Sequence, residues 1–130
     1  MLKDRPQIIQ EVSFDFDWDL NKVWGLDEPT IEMPISELVW HLDIPFWESE
    51  GTDDWNLTPR EVIDHPHEQP SHWKKIQEAD TSYPIDIMEN KGRWVLLDGL
   101  HRLSKLYMAG EKNVRVRKIP RNRIPEIVKP

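Results

Sequence analysis

The sequence predicts an α+β protein: a small mixed β-sheet with short helices packed on it. Three observations carry that expectation. The apolar run Trp94-Val95-Leu96-Leu97 lies between Gly92 and Asp98-Gly99, which is the pattern of a short buried strand. Leu103, Leu106 and Tyr107 then recur at helical spacing as far as Gly110, a C-terminal stop. Beyond it Val114 and Val116 alternate with Arg115 and Arg117, so a second strand has one buried face and one basic face.

The remaining elements follow in chain order. Residues 12–20 alternate apolar with polar, and that period of two predicts a half-buried strand with Val12, Phe14, Phe16, Trp18 and Leu20 inward. Asp15, Asp17 and Asp19 would share its other face. Three such carboxylates could collect a divalent cation, but a solvated acidic face that blocks edge pairing is the plainer expectation. Residues 21–32 carry Gly25 and Pro29 and read as a connection anchored by Trp24. Residues 1–30 are therefore expected to be an acidic N-terminal extension packed on a domain formed by residues 31–130.

Within that domain, residues 34–38 suggest a short turn with Ser36 as cap, an apolar stretch continues to Leu42, and regular structure must end by Pro45. Residues 48–57 read as an acidic surface loop, in which Trp55 stands out. Thr58 and Glu61 bracket Pro59 as a capping box with proline at the first helical position, and Pro66 ends that helix near Asp64. A second helix starts at Pro70-Ser71 and runs to Glu78, with Trp73, Ile76 and Gln77 on one face. Residues 83–88 form a strand, and a hairpin turn over 89–92 leads into the 94–97 run, with Asn90 and Gly92 at its positive-φ positions. Leu97, Leu103 and Leu106 are expected in the core, and the tail closed by Pro120 and Pro125 should hug the surface or be mobile.

A chain of 130 residues suits one domain with a modest core. The absence of cysteine fits a reducing compartment and removes disulfides, thiolate metal sites and thiol catalysis together. No run approaches a membrane span and the first residues carry no apolar signal segment, so a cytoplasmic protein is expected. The net charge of −7 is uneven. Residues 102–130 hold nine Lys/Arg against two Asp/Glu, and residues 1–101 hold eight against twenty-two, so the quarter is +7 and the body −14. That distribution argues against non-specific binding of duplex DNA, which needs a broad positive face. It permits a local site for a phosphate-bearing ligand, or an acidic protein partner.

The chemistry concentrates where strand turns into helix. A helix N-terminus offers unpaired N–H groups and a partial positive charge. Here it is preceded by Asp98, able to cap, and Gly99, which lets a ligand approach the backbone; Leu100, His101 and Arg102 follow. The expected phosphate site is Asp98, Gly99, Leu100, His101 and Arg102, with Arg102 as bidentate clamp and His101 as second donor. The plainer alternative has Asp98 capping and Arg102 pairing an acidic neighbour.

Leu96-Leu97-Asp98-Gly99-Leu100-His101-Arg102-Leu103, with the helix and strand after it, resembles the signature turn of the ParB/sulfiredoxin superfamily. Met33-Pro34-Ile35-Ser36-Glu37-Leu38 resembles that family's opening segment, and Tyr83-Pro84-Ile85-Asp86-Ile87 one of its strands. The resemblance implies a ParB/sulfiredoxin-like fold whose turn holds nucleotide phosphates: ATP, ADP or CTP with Mg²⁺. Sulfiredoxins place a catalytic cysteine where this chain has Leu100, so their chemistry is excluded. The partitioning CTP switches carry Gly-Glu-Arg-Arg where this chain has Gly-Leu-His-Arg. The nearest resemblance is to stand-alone Asp-Gly-x-His-Arg members, which include free serine kinases. In those a carboxylate serves as base, and Glu37 and Asp43 lie in the matching region.

The resemblance thus implies a nucleotide- or phosphate-ligand-binding domain, with small-molecule kinase or nucleotide hydrolase chemistry as its enzymatic forms. A non-catalytic protein-interaction module that keeps the fold is the alternative, and a ParB-like nuclease the weaker one. His65, His67 and His72 could supply imidazoles to zinc, but the prolines between them favour an exposed polar loop. No metal site is therefore assigned. Trp55 and Trp94 could stack on a base, although core packing is the simpler role for each.

Overall fold

The computed structural model describes residues 6–52 and 55–130. Its helices are α1 (Gln7–Val12), α2 (Leu20–Trp24), α3 (Pro59–Asp64), α4 (Pro70–Glu78), α5 (Leu100–Met108) and α6 (Ile124–Ile127). Strands β1 (Thr30–Pro34), β2 (Ile85–Asn90), β3 (Arg93–Asp98) and β4 (Asn113–Lys118) form one sheet in the order β1-β4-β2-β3. The β1–β4 and β2–β3 pairs are antiparallel and β2–β4 is parallel, so the sheet is mixed and the protein is α+β. The β2–β3 hairpin turns at Lys91 (φ 53°) and Gly92 (φ 86°). Asn90 is instead the last strand residue, its side chain buried and donating to the Ser13 carbonyl at 2.9 Å.

Both faces of β2 are covered, which is why five of its six residues are buried. On one face Ile85 and Ile87 join Met33, Leu38, Leu42, Leu103, Val114 and Val116. On the other, Met88, Val95 and Leu97 meet Phe14, Val23, Ile119 and Ile127. The N-terminal residues therefore close the second face of the sheet. A smaller cluster of Trp47, Leu57, Val62 and Ile76 joins α3, α4 and the loop before α3. The capping box at Thr58–Glu61 is present and α3 stops at Asp64. Among the described residues no helix is long and apolar enough to cross a membrane.

Three expectations are corrected. Residues 12–20 are not a strand: the segment contains the end of α1, an irregular stretch with one bridge from Trp18 to Val128, and the start of α2. The alternation is real, since Phe14 is buried and Asp15 and Asp17 are exposed, but packing among Phe14, Phe16 and Trp18 sustains it without a ladder. Asp19 is the N-cap of α2, accepting from Asn21 N at 2.9 Å. Second, residues 21–32 contain the body of α2 and the start of β1 rather than a plain connection. Third, the buried positions of α5 are Leu103 and Ser104, with Leu106 only half-buried, and on α4 they are His72 and Ile76 while Gln77 is exposed.

Leu103, fully buried between α5 and the sheet, is the residue whose truncation opens a cavity. Leu103→Ala should lower stability by about 2–5 kcal/mol, read as a shift of the chemical-denaturation midpoint. A midpoint within error of wild type would mean that α5 packs through another face.

Candidate functional site

Gly99 follows β3 with φ 114° and ψ 21°, a left-handed conformation, and is the N-cap of α5. A Cβ there would lie 3.1 Å from both Arg102 Nη2 and Ile85 Cγ1, so space and backbone both require glycine. The first bond of the helix runs from Leu103 N to Gly99 O at 2.8 Å. The N–H groups of Leu100, His101 and Arg102 precede it, and no side chain caps this end.

Asp98 is not the cap expected of it. The left-handed Gly99 separates it from the helix, and its Oδ2 accepts from Trp24 Nε1 at 2.7 Å and Arg102 Nη2 at 2.9 Å. Arg102 is correspondingly not an exposed clamp: its side chain is 17% exposed and ion-paired. The turn thus behaves as the plainer alternative has it for Arg102, while Arg102 still borders two cavities.

His101 is also different from a cationic donor. Its ring stacks on Trp47 (centroids 4.3 Å apart) and so does that of His72 (4.6 Å). The two imidazoles are only 5.7 Å apart and nearly coplanar, whereas rings on opposite faces of the indole would be about 7 Å apart. They therefore lie side by side on one face, with His72 Nδ1 and His101 Nε2 at 3.4 Å. His72 Nε2 meets the Glu48 carbonyl at 2.9 Å and must carry a proton. In the neutral ring Nδ1 is then an acceptor, so His101 Nε2–H donates to it. That leaves His101 Nδ1 with a lone pair and no partner among the described residues. Burial above all, helped by the positive Lys75, pushes the His101 pKa down to about 4, so the ring is neutral at pH 7.

The turn borders three cavities. One, of about 310 Å³, is lined by Lys75, Glu78, Asp80, Asp98, the start of α5 and Arg102. A second, of about 270 Å³, has an aromatic wall of Trp18, Trp47 and Trp55 with His41 and His101. The third, about 580 Å³, lies beside Trp24, Tyr83, Asp86, Arg102 and Arg117.

Other candidates fall elsewhere. Asp43 is paired with Arg60 at 2.6 Å, Glu37 is exposed, and neither lines these cavities. His65 and His67 are exposed, while His72 turns inward, so the three histidines do not assemble. Among the described residues no group of three or more His, Cys, Asp or Glu is placed to hold a metal ion. Trp55 does reach the site, whereas Trp94 lies under Lys118 Nζ, 4.5 Å from its ring centroid. Sequence reasoning missed Lys75, Trp47 and the role of His72, because no local pattern links them to residues 98–102. Comparison with family models, curated proteins and solved structures gave no match in any of the three.

Two outcomes follow. Gly99→Ala should destabilise by about 1–2 kcal/mol from backbone handedness alone, with further loss from the close contacts; an unchanged melting temperature would mean the turn relaxes freely. His41 is fully buried between the Leu38 carbonyl (2.7 Å) and Leu96 N–H (3.1 Å), and burial holds its pKa at about 4. Between the unfolded value near 6.5 and about 4 the unfolded chain binds more protons, so stability is full above this window and falls as pH drops through it. The loss from His41 should reach roughly 3 kcal/mol, measured by denaturation at stepped pH. A flat profile between pH 6.5 and 4 would contradict a buried neutral ring.

Proposed function

We propose that the 98–102 turn binds the phosphate of a small phosphorylated ligand, a nucleotide in the first instance, at the start of α5. One observation carries this: the unpaired first-turn N–H groups open beside a cavity of about 310 Å³ that Lys75 and Arg102 also line. The resemblance of Asp98-Gly99-Leu100-His101-Arg102 to the ParB/sulfiredoxin turn supports the same reading. Arg102 spends only an Nη2 proton on Asp98, so other N–H groups of the guanidinium remain for a ligand.

Glu78, Asp80 and Asp98 line the same cavity, and two cations do not offset three carboxylates plus a phosphate. The donor set therefore suits a phosphate that arrives with Mg²⁺, which is held by one or two carboxylates together with phosphate oxygens. Glu78 and Asp80 are the residues to hold it, and hydrogen bonds from Ser82 keep the Asp80 pKa below its ordinary value. The bound ion would neutralise charge on the phosphate. His101 Nδ1 is the neutral acceptor nearest the turn, suited to orient a hydroxyl or water, and this favours kinase or nucleotide hydrolase chemistry over simple docking.

Thermal shift with ATP, ADP, CTP and orthophosphate, each with and without Mg²⁺, tests the proposal. A ligand at a hundredfold excess over Kd should stabilise by about 2.7 kcal/mol. Lys75→Ala, at an exposed position, should weaken that ligand roughly tenfold, the loss of one charge-assisted bond, without lowering the unliganded melting temperature. A flat screen would overturn the proposal and favour the interaction module.

A further inference from the structure

The largest of the three cavities, about 580 Å³, has no part in the phosphate reading beyond its shared wall at Arg102. Its rim is unusual. Trp24 and Tyr83 are the most exposed large hydrophobic side chains among the described residues, at 54% and 62%, and both line this one cavity. Trp24 is held in place, because its Nε1–H donates to Asp98 at 2.7 Å. An aromatic ring that is fixed yet left in water is arranged to receive another flat ring.

The floor is polar but already neutralised. Arg117 gives Nε to Asp86 Oδ1 at 2.6 Å, Nη1 to the Leu26 carbonyl at 2.7 Å and Nη2 to the Val23 carbonyl at 3.0 Å. Arg102 is paired with Asp98. Arg117 is thus committed and Arg102 shares its charge with Asp98, so beside Asp86 and Asp98 the cavity does not present a net positive floor to an anion. One acceptor is left over. The Asp86 side chain is only 3% exposed, and its Oδ2 accepts nothing from the described residues. An acceptor oxygen on a side chain only 3% exposed, bonded to none of the described residues and lining an aromatic-rimmed cavity, selects a group that donates an N–H.

We infer that this cavity binds an amino-substituted planar heteroaromatic ring of the nucleobase class. The ring stacks against Trp24 and Tyr83, and its amino group donates to Asp86 Oδ2. The volume accommodates the ring with an attached sugar. The site needs no phosphate, and it stands whether or not the 98–102 turn binds one.

The experiment titrates the full chain with adenosine, cytidine and guanosine by calorimetry, with N6,N6-dimethyladenosine as the analogue stripped of its donor. Saturable binding of an amino-bearing nucleoside is expected. Tyr83→Ala should weaken it about tenfold or more, because stacking of a base on an aromatic side chain is lost, while the melting temperature stays at the wild-type value. For adenosine, removal of both amino hydrogens should weaken binding at least about tenfold, since the buried acceptor is left unpaired. Asp86→Asn, which places an amide where the acceptor stood, should abolish binding, and is read only if the variant remains folded. No binding by any amino nucleoside at millimolar concentration, or affinity unchanged by Tyr83→Ala, overturns the inference. Orthophosphate and Mg²⁺ in a parallel arm separate the two sites. A nucleoside that binds without any phosphate effect leaves this site standing and the turn reading overturned. A phosphate effect sensitive to Lys75→Ala, with nucleosides inert, does the reverse.

Discussion

The ion pair between Asp86 and Arg117 is the constraint on which the architecture turns. It joins the two parallel strands β2 and β4, and Arg117 reaches past them to the Val23 and Leu26 carbonyls at the end of α2. Taking both charges out of water costs several kcal/mol per ion, and only full hydrogen bonding of the guanidinium makes that tolerable. Burial raises the Asp86 pKa and the Arg117 bond opposes that shift. Arginine cannot give up its proton, so the pair stays ionic, and losing one partner strands the other. The N-terminal segment is therefore part of the sheet's structure. Without the α2 carbonyls the centre of the sheet would hold an arginine with donors unmet.

The same logic extends across the uneven charge. The basic C-terminal quarter does not form a free positive face. Arg115 donates to the Ser82 carbonyl, Arg121 to the Glu89 carbonyl at 2.7 Å, and Arg123 bridges Glu28 and Glu126. The C-terminal cations are largely spent on the acidic body, and what reads as a dipole along the sequence is folded back on itself.

How much was legible in the sequence depended on the range of the interaction. The strand at 94–97, the helix after it, the capping box at Thr58–Glu61 and the stop at Gly110 rest on neighbours a few residues apart, and local spacing reports them. Residues 12–20 misled because alternation records which side is buried, not whether a partner strand exists. Three aromatic rings packing on one another produce the same pattern as a ladder. Asp98 looked like a cap because a short acid before a helix usually is one. What displaced it was Trp24, 74 residues away, together with a left-handed glycine that no side-chain pattern announces. The coplanar pair of His72 and His101 was invisible for the same reason, since its geometry is set by Trp47 from a third segment.

Asp98 organises the turn. Placed at the junction of β3 and α5, it holds Trp24 on one side and Arg102 on the other, so one carboxylate fixes the wall between two cavities. The bond to Arg102 orients the guanidinium without exhausting it, and Arg102 Nε is buried with no partner. An orphaned buried donor costs about 1–3 kcal/mol. A fold that tolerates this in the first turn of a helix keeps its arginine for position rather than for stability alone. The neighbouring His101 shows the same economy: one nitrogen is tied to His72, the other left open, and the ring is neutral by burial. Backbone donors, a half-used arginine and an uncharged imidazole converge on one turn, each with a polar group in reserve. On the proposed reading, that reserve is what an incoming ligand would meet.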